Sequence, residues 1–188
     1  MRDSLRWIES KSVHWKNFEH KGVTFDLTHL HPRTLRFERP AEGIKPAEVY
    51  TVNTIFTSHC FTREPKKAEV YDATLLYPDG YEKRIFDLRR YELSKLLPEI
   101  IQSMPSRKPR HNNNRQNFFS VEAVTEDGRT VEYDIFFKVR KVARGRLEMI
   151  VETAFVRDPA YDSTRPNGKP IRFWIILHNT LNNIRIRT

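Results

Sequence analysis

Val131-Glu132-Tyr133-Asp134-Ile135-Phe136-Phe137-Lys138-Val139 sets an apolar side chain at every second position, with Glu132, Asp134 and Lys138 between them. A period of two marks a strand with one face in a core and the other in solvent. Residues 141–146 turn around Gly145, and Leu147, Met149, Val151, Thr153 and Phe155 then share one face of the next strand. Upstream, Phe119, Val121 and Ala123 alternate, and Glu126-Asp127-Gly128 turns the chain toward Thr130. Downstream, Ile171, Phe173, Ile175 and Leu177 read as a last strand. Trp174 and Ile176 make its other face apolar as well, as in a central strand. These segments predict a four-stranded antiparallel meander over 116–180.

Before the meander lies the best helix. Leu93, Leu96, Leu97, Ile100, Ile101 and Met104 make one apolar stripe, Asp87 is placed to cap it, and Pro98 must kink or restart it. Glu48 to Thr62 is a long β-branched and aromatic run without Gly or Pro, so it reads as a strand. Glu69 to Tyr77 and Glu82 to Phe86 follow as strands joined through Pro78-Asp79-Gly80, and Thr34 to Arg39 is a short early strand. The expected fold is α+β: one main helix packed on an antiparallel four-stranded meander, with additional N-terminal strands. A single domain is expected over 1–188, with an irregular N-terminal extension docked over 1–46, a β-rich part over 47–86, the helix over 87–104 and the sheet over 116–180.

Thirty-three Lys and Arg against 24 Asp and Glu give a formal charge of +9, so a polyanionic partner is favoured. No apolar run approaches the ~18 residues a bilayer-spanning helix needs, and no membrane partner is expected. The residues after Met1 lack the apolar core of an export signal, which points to the cytoplasm. The single cysteine, Cys60, excludes an internal disulfide and a multi-cysteine metal site. In a strand, neighbouring His59 and Cys60 would point to opposite faces, which disfavours a thiolate–imidazole pair. His29 and His31 alone are too few to hold a metal, and the carboxylates Glu132, Asp134, Glu148 and Glu152 read better as partners of Lys138 and Arg140 than as a metal cluster. Neither a metal nor a cofactor is expected.

Two segments concentrate basic charge. Pro105 to Arg115 carries Arg107, Lys108, Arg110 and Arg115 in a run with no apolar side chain except proline. The hairpin tip carries Lys138, Arg140, Lys141 and Arg144. Guanidinium and ammonium groups on flexible ends suit phosphate oxygens, so both are candidate nucleic-acid-binding segments.

Gly145-Arg146-Leu147-Glu148-Met149-Ile150-Val151-Glu152-Thr153-Ala154-Phe155-Val156-Arg157-Asp158 resembles the late strand of the small metal-independent ribonuclease toxins, the barnase, EndoU, colicin and RelE-like group. The likeness spans roughly residues 87–178 and leaves the first 86 unmatched. It implies a helix before a four-stranded antiparallel sheet, RNA rather than DNA as the partner, and a possible antitoxin or other protein partner. It implies roles for Thr153 as a hydrogen-bonding positioner and for Arg157 as a phosphate clamp. Metal-free cleavage needs an acid and a base, and His59 and His178 are the histidines placed at strand ends to serve. The alternatives are a non-catalytic nucleic-acid-binding or adaptor protein, and a phage-type accessory protein working through protein contacts. An enzyme requires His59, His178 and Arg157 in one concavity, whereas a binder needs only a contiguous basic surface.

Overall fold

The computed structural model describes residues 14–79, 82–111, 117–124, 128–143, 145–157 and 168–186. Among these run, in chain order, β1 (Phe18–His20), β2 (Val23–Phe25), β3 (Arg33–Arg39), β4 (Glu48–Phe56), β5 (Thr62–Arg63), β6 (Leu76–Asp79) and β7 (Glu82–Phe86). Then follow α1 (Leu88–Ser94), α2 (Leu97–Gln102), β8 (Arg110–His111), β9 (Asn117–Val124), β10 (Thr130–Ala143), β11 (Arg146–Val156), β12 (Lys169–Pro170) and α3 (Phe173–Leu181).

Seven strands form the main sheet in the order β12-β8-β9-β10-β11-β4-β3. All its pairings are antiparallel except β11 against β4, which run parallel from Arg146 beside Thr51 to Val151 beside Phe56. The long excursion between β4 and β11 satisfies the crossover that a parallel pair requires. It carries a three-stranded sheet, β5-β7-β6, and the two helices α1 and α2. Phe136 stands opposite Thr153 and Phe137 opposite Val151, so Glu152 is the extra residue of a β-bulge.

Alternation builds the core. Val52 and Phe56 of β4, Tyr133, Ile135 and Phe137 of β10, and Leu147, Met149 and Val151 of β11 are buried in one continuous apolar cluster. Leu93, Leu97, Ile101 and Met104 join it from the helical segment, and Phe173, Ile176 and Leu177 from α3. Asp87 caps α1 by accepting from the Arg90 amide at 2.9 Å, and Pro98 sits in the first turn of α2, where its missing N–H costs nothing.

The fold expected from sequence is overturned on two points. The sheet is seven-stranded and mixed, and three helices pack with it rather than one helix on a four-stranded meander. The segment from Ile171 to Leu177, expected as a central strand, is helix from Phe173 onward. Its apolar residues satisfy both periods: Phe173, Ile176 and Leu177 recur at helical offsets and are the ones buried. Two smaller expectations also shift. The strand over 48–62 stops at Phe56, because Ser58–Cys60 closes a 3-10 turn capped by Thr57. The strand expected from Glu69 begins only at Leu76, after a second 3-10 turn that Asp72 caps.

Candidate functional site

A cleft of about 850 Å³ opens where the end of β11 meets α1, β5, β7 and the turn after β4. Arg63, Lys66, Arg84, Arg89, Arg90 and Arg157 line it against the carboxylates Glu64, Glu69 and Asp87, with His59, Thr153 and Phe155 completing the wall. Six basic side chains and three acids line it, and Asp134 and Glu82 pair with Arg157 and Arg84 from outside that lining.

Four of the five guanidiniums, all but that of Arg89, are held by neighbouring groups. The Arg90 side chain reaches back from α1 and donates to the carbonyls of His59 (3.0 Å) and Thr62 (2.8 Å). Burial pushes its pKa down from the usual arginine value. Arg84, almost wholly buried, donates to the Thr62 hydroxyl at 3.0 Å. Arg63 grips Glu69 with both terminal nitrogens, at 2.8 and 2.5 Å, and its Nε lies 3.2 Å from Asp87. The hydrogen bonds from the Arg63 side chain and the Lys66 amide hold the Glu69 carboxyl down at about 2. Arg157 pairs at 2.5 Å with Asp134, a fully buried carboxylate that also accepts from Ser120. Arg90 and Arg157 lie 5.4 and 6.0 Å from the ring centroid of Phe155, which itself stacks on Phe136. The result is a cationic floor built around an aromatic ring.

Of the four residues proposed from sequence for catalysis, His59, Thr153 and Arg157 come together in this cleft. The Thr153 hydroxyl donates to the His59 carbonyl at 3.5 Å, so it positions the turn that carries the imidazole. The His59 ring lies 3.1 Å from Glu82. His178 does not join them. It sits in the last turn of α3, with Nδ1 3.5 Å from the Tyr50 hydroxyl and 3.7 Å from Glu48. Tyr50 and Phe56 are separated along β4 by about 20 Å of extended chain, and His59 lies beyond Phe56. The two imidazoles therefore cannot flank one phosphodiester.

The two basic segments behave differently from the cleft. Lys138 pairs with Glu152, and Arg140 pairs with Glu148 at 2.6 Å, Glu148 being almost wholly buried. Lys141 is exposed at the end of β10. Arg107 donates to the Ser103 hydroxyl at 2.8 Å and lies 5.8 Å from the Phe119 ring centroid, while Lys108 and Arg110 are exposed. Arg110 belongs to β8, a strand where sequence suggested a mobile loop. Arg115 and Arg144 lie outside the described residues.

Other reactive groups are accounted for structurally. Cys60 is fully buried, and burial pushes its thiol up to about 12. His29 meets the Ser94 hydroxyl at 2.8 Å and His31 the Trp15 carbonyl at 3.0 Å, so the pair does not converge on one point. His111 is buried against Asn117 at 2.8 Å.

Sequence reading missed Arg63, Lys66, Arg84, Arg89 and Arg90. They lie singly or in pairs among acids and apolar residues over 63–90, with no run to mark them. The doublet Arg89-Arg90, in the first turn after the helix cap Asp87, was an available signal, since that turn would face whatever the cap approaches. Among the described residues no helix is long and apolar enough to cross a membrane. No curated protein and no solved structure matches the chain. A family model does: the YjaZ family aligns with residues 17–181, which include every residue lining the cleft, and the chain belongs to that family.

Proposed function

We propose that this protein binds RNA, and that the cleft holds a single strand by its phosphates. The observation that carries the reading is the convergence of six basic side chains in one concavity, several of them locked by buried partners. Preset guanidiniums lose little entropy when they meet phosphate, and their planar forks match its oxygens. A volume of about 850 Å³ accommodates a few nucleotides of single strand and is too small for a duplex. Phe155 gives the floor an aromatic surface of the kind that supports unstacked bases. RNA, the nucleic acid ordinarily met single-stranded, is therefore favoured over DNA.

Binding rather than two-histidine cleavage is the function this geometry supports, because His178 stands far from the cleft. The test is filter binding of a short single-stranded RNA across a salt series in excess EDTA, with single-stranded DNA of the same sequence alongside. Affinity should fall steeply with salt. Arg89→Glu, at an exposed position on the first turn of α1, should weaken binding about tenfold and flatten the salt slope. Equal affinity for DNA would remove the preference for RNA, and an Arg89→Glu curve superposed on the wild type would remove the cleft.

A further inference from the structure

At the rim of the cleft, the hairpin of β6 and β7 breaks a local rule. Asp79 and Glu82 stand directly opposite one another as cross-strand partners. Like charges in that position destabilise a hairpin, so an unrelieved pair of carboxylates there is a cost the sequence would be expected to avoid. The His59 imidazole, from the turn after β4, comes to 3.1 Å of Glu82. One ligand atom from each of His59, Asp79 and Glu82 lies within 4.8 Å of the other two. Asp79 and Glu82 meet through the register of one hairpin, whereas His59 arrives from a distant segment, so the approach of the imidazole to the carboxylates is a product of the fold.

We propose that His59, Asp79 and Glu82 bind one divalent transition-metal ion, Zn²⁺ or Mn²⁺. One imidazole nitrogen with two carboxylate oxygens is a donor set both ions accept, and the two negative charges balance the ion. The ion resolves the like-charge opposition that the strand register imposes. The supporting contacts suit a prepared site: the Ser58 hydroxyl donates to Asp79, and the Thr57 side chain accepts from the His59 amide at 3.3 Å. Arg84 Nη1 lies 3.7 Å from Glu82, yet a carboxylate has lone pairs for both a cation and a guanidinium. Three protein ligands leave a coordination position open, and His59 also lines the cleft, so a phosphate oxygen held there is the natural outer ligand. This goes beyond RNA binding, which needs no metal.

The test uses the full chain, stripped of metal and titrated with Zn²⁺ or with Mn²⁺ in a calorimeter, without RNA. One equivalent of at least one ion should be taken up, and Asp79→Asn and Glu82→Gln should each weaken uptake by at least about tenfold, with circular dichroism unchanged. Absence of saturable uptake of either ion, or uptake equally tight in both variants, overturns the site. RNA affinity in excess EDTA reports on the cleft alone, so failure of one reading is distinguishable from failure of the other.

Discussion

The β10–β11 hairpin and the cleft both draw on this chain's excess of basic residues, and they use it in opposite ways. On the hairpin, cations meet acids across the strands: Lys138 with Glu152 and Arg140 with Glu148. Each cation there has an acid on the neighbouring strand. In the cleft, guanidiniums from β5, β7, α1 and the end of β11 point into one volume and outnumber the acids that line it. Charge density along the sequence therefore does not foretell where cations converge. That is set by where the topology brings unlike segments together, and by how many carboxylates come with them.

That contrast is open to attack from several sides. The largest effect is expected from the scaffold behind the cleft. Leu97 is fully buried where α2 begins, and Leu97→Ala should cost ~2–5 kcal/mol, read as a fall in thermal midpoint. A midpoint unmoved by that change would mean that the helical segment is not anchored to the sheet's core, and the cleft would lose its rigid wall. On the hairpin side, Glu148→Gln should cost about 1–3 kcal/mol, because the charged partner of Arg140 is removed from an almost fully buried position. RNA affinity should stay the same. A clear rise in affinity would show Arg140 recruited to RNA once released, and the two regions would no longer differ in kind.

A smaller effect concerns the turn that delivers His59 to the cleft. Cys60 lies fully buried behind it, and burial holds the thiol protonated up to about 12 in the folded protein. The unfolded chain releases that proton near 9, its ordinary value. A folded-state pKa above the unfolded one means that the stabilisation is complete below about 9 and is lost as pH rises toward about 12. Urea melts of the wild type should therefore weaken through this window, and those of Cys60→Ala should weaken less. Identical slopes for the two proteins would place the thiol in contact with solvent and the turn loosely on the body.

Part of the sheet was legible because three of its strands alternate over much of their length. β9, β10 and β11 follow from Val121, Ala123, Tyr133, Ile135, Met149 and Val151 alone. So does the helix start at Asp87 and its interruption at Pro98, since a cap and a missing N–H act locally. The parallel pairing of β11 with β4 was not legible. Nothing in Val52 or Phe56 says which distant strand they will lie beside, and a crossover of this length leaves no local trace. α3 was misread because Phe173, Ile175 and Leu177 alternate as well as Phe173, Ile176 and Leu177 recur at helical spacing. Of the site, His59, Thr153 and Arg157 were singled out from sequence and share the cleft, while the guanidiniums around them were overlooked in favour of denser runs.

The proposed RNA site is the set of converging cations in the cleft, and not the basic runs. The most direct measurement compares two multiple variants at one salt concentration by filter binding: Lys66→Glu with Arg89→Glu in the cleft, and Arg107→Ala with Lys108→Ala and Arg110→Ala in the basic run. The cleft variant should lose roughly a hundredfold in affinity, consistent with reversing two charges beside a phosphate chain, and the basic-run variant should stay within about threefold of wild type. A cleft variant that binds like wild type while the basic-run variant loses its affinity would contradict the account and return the site to residues 105–115.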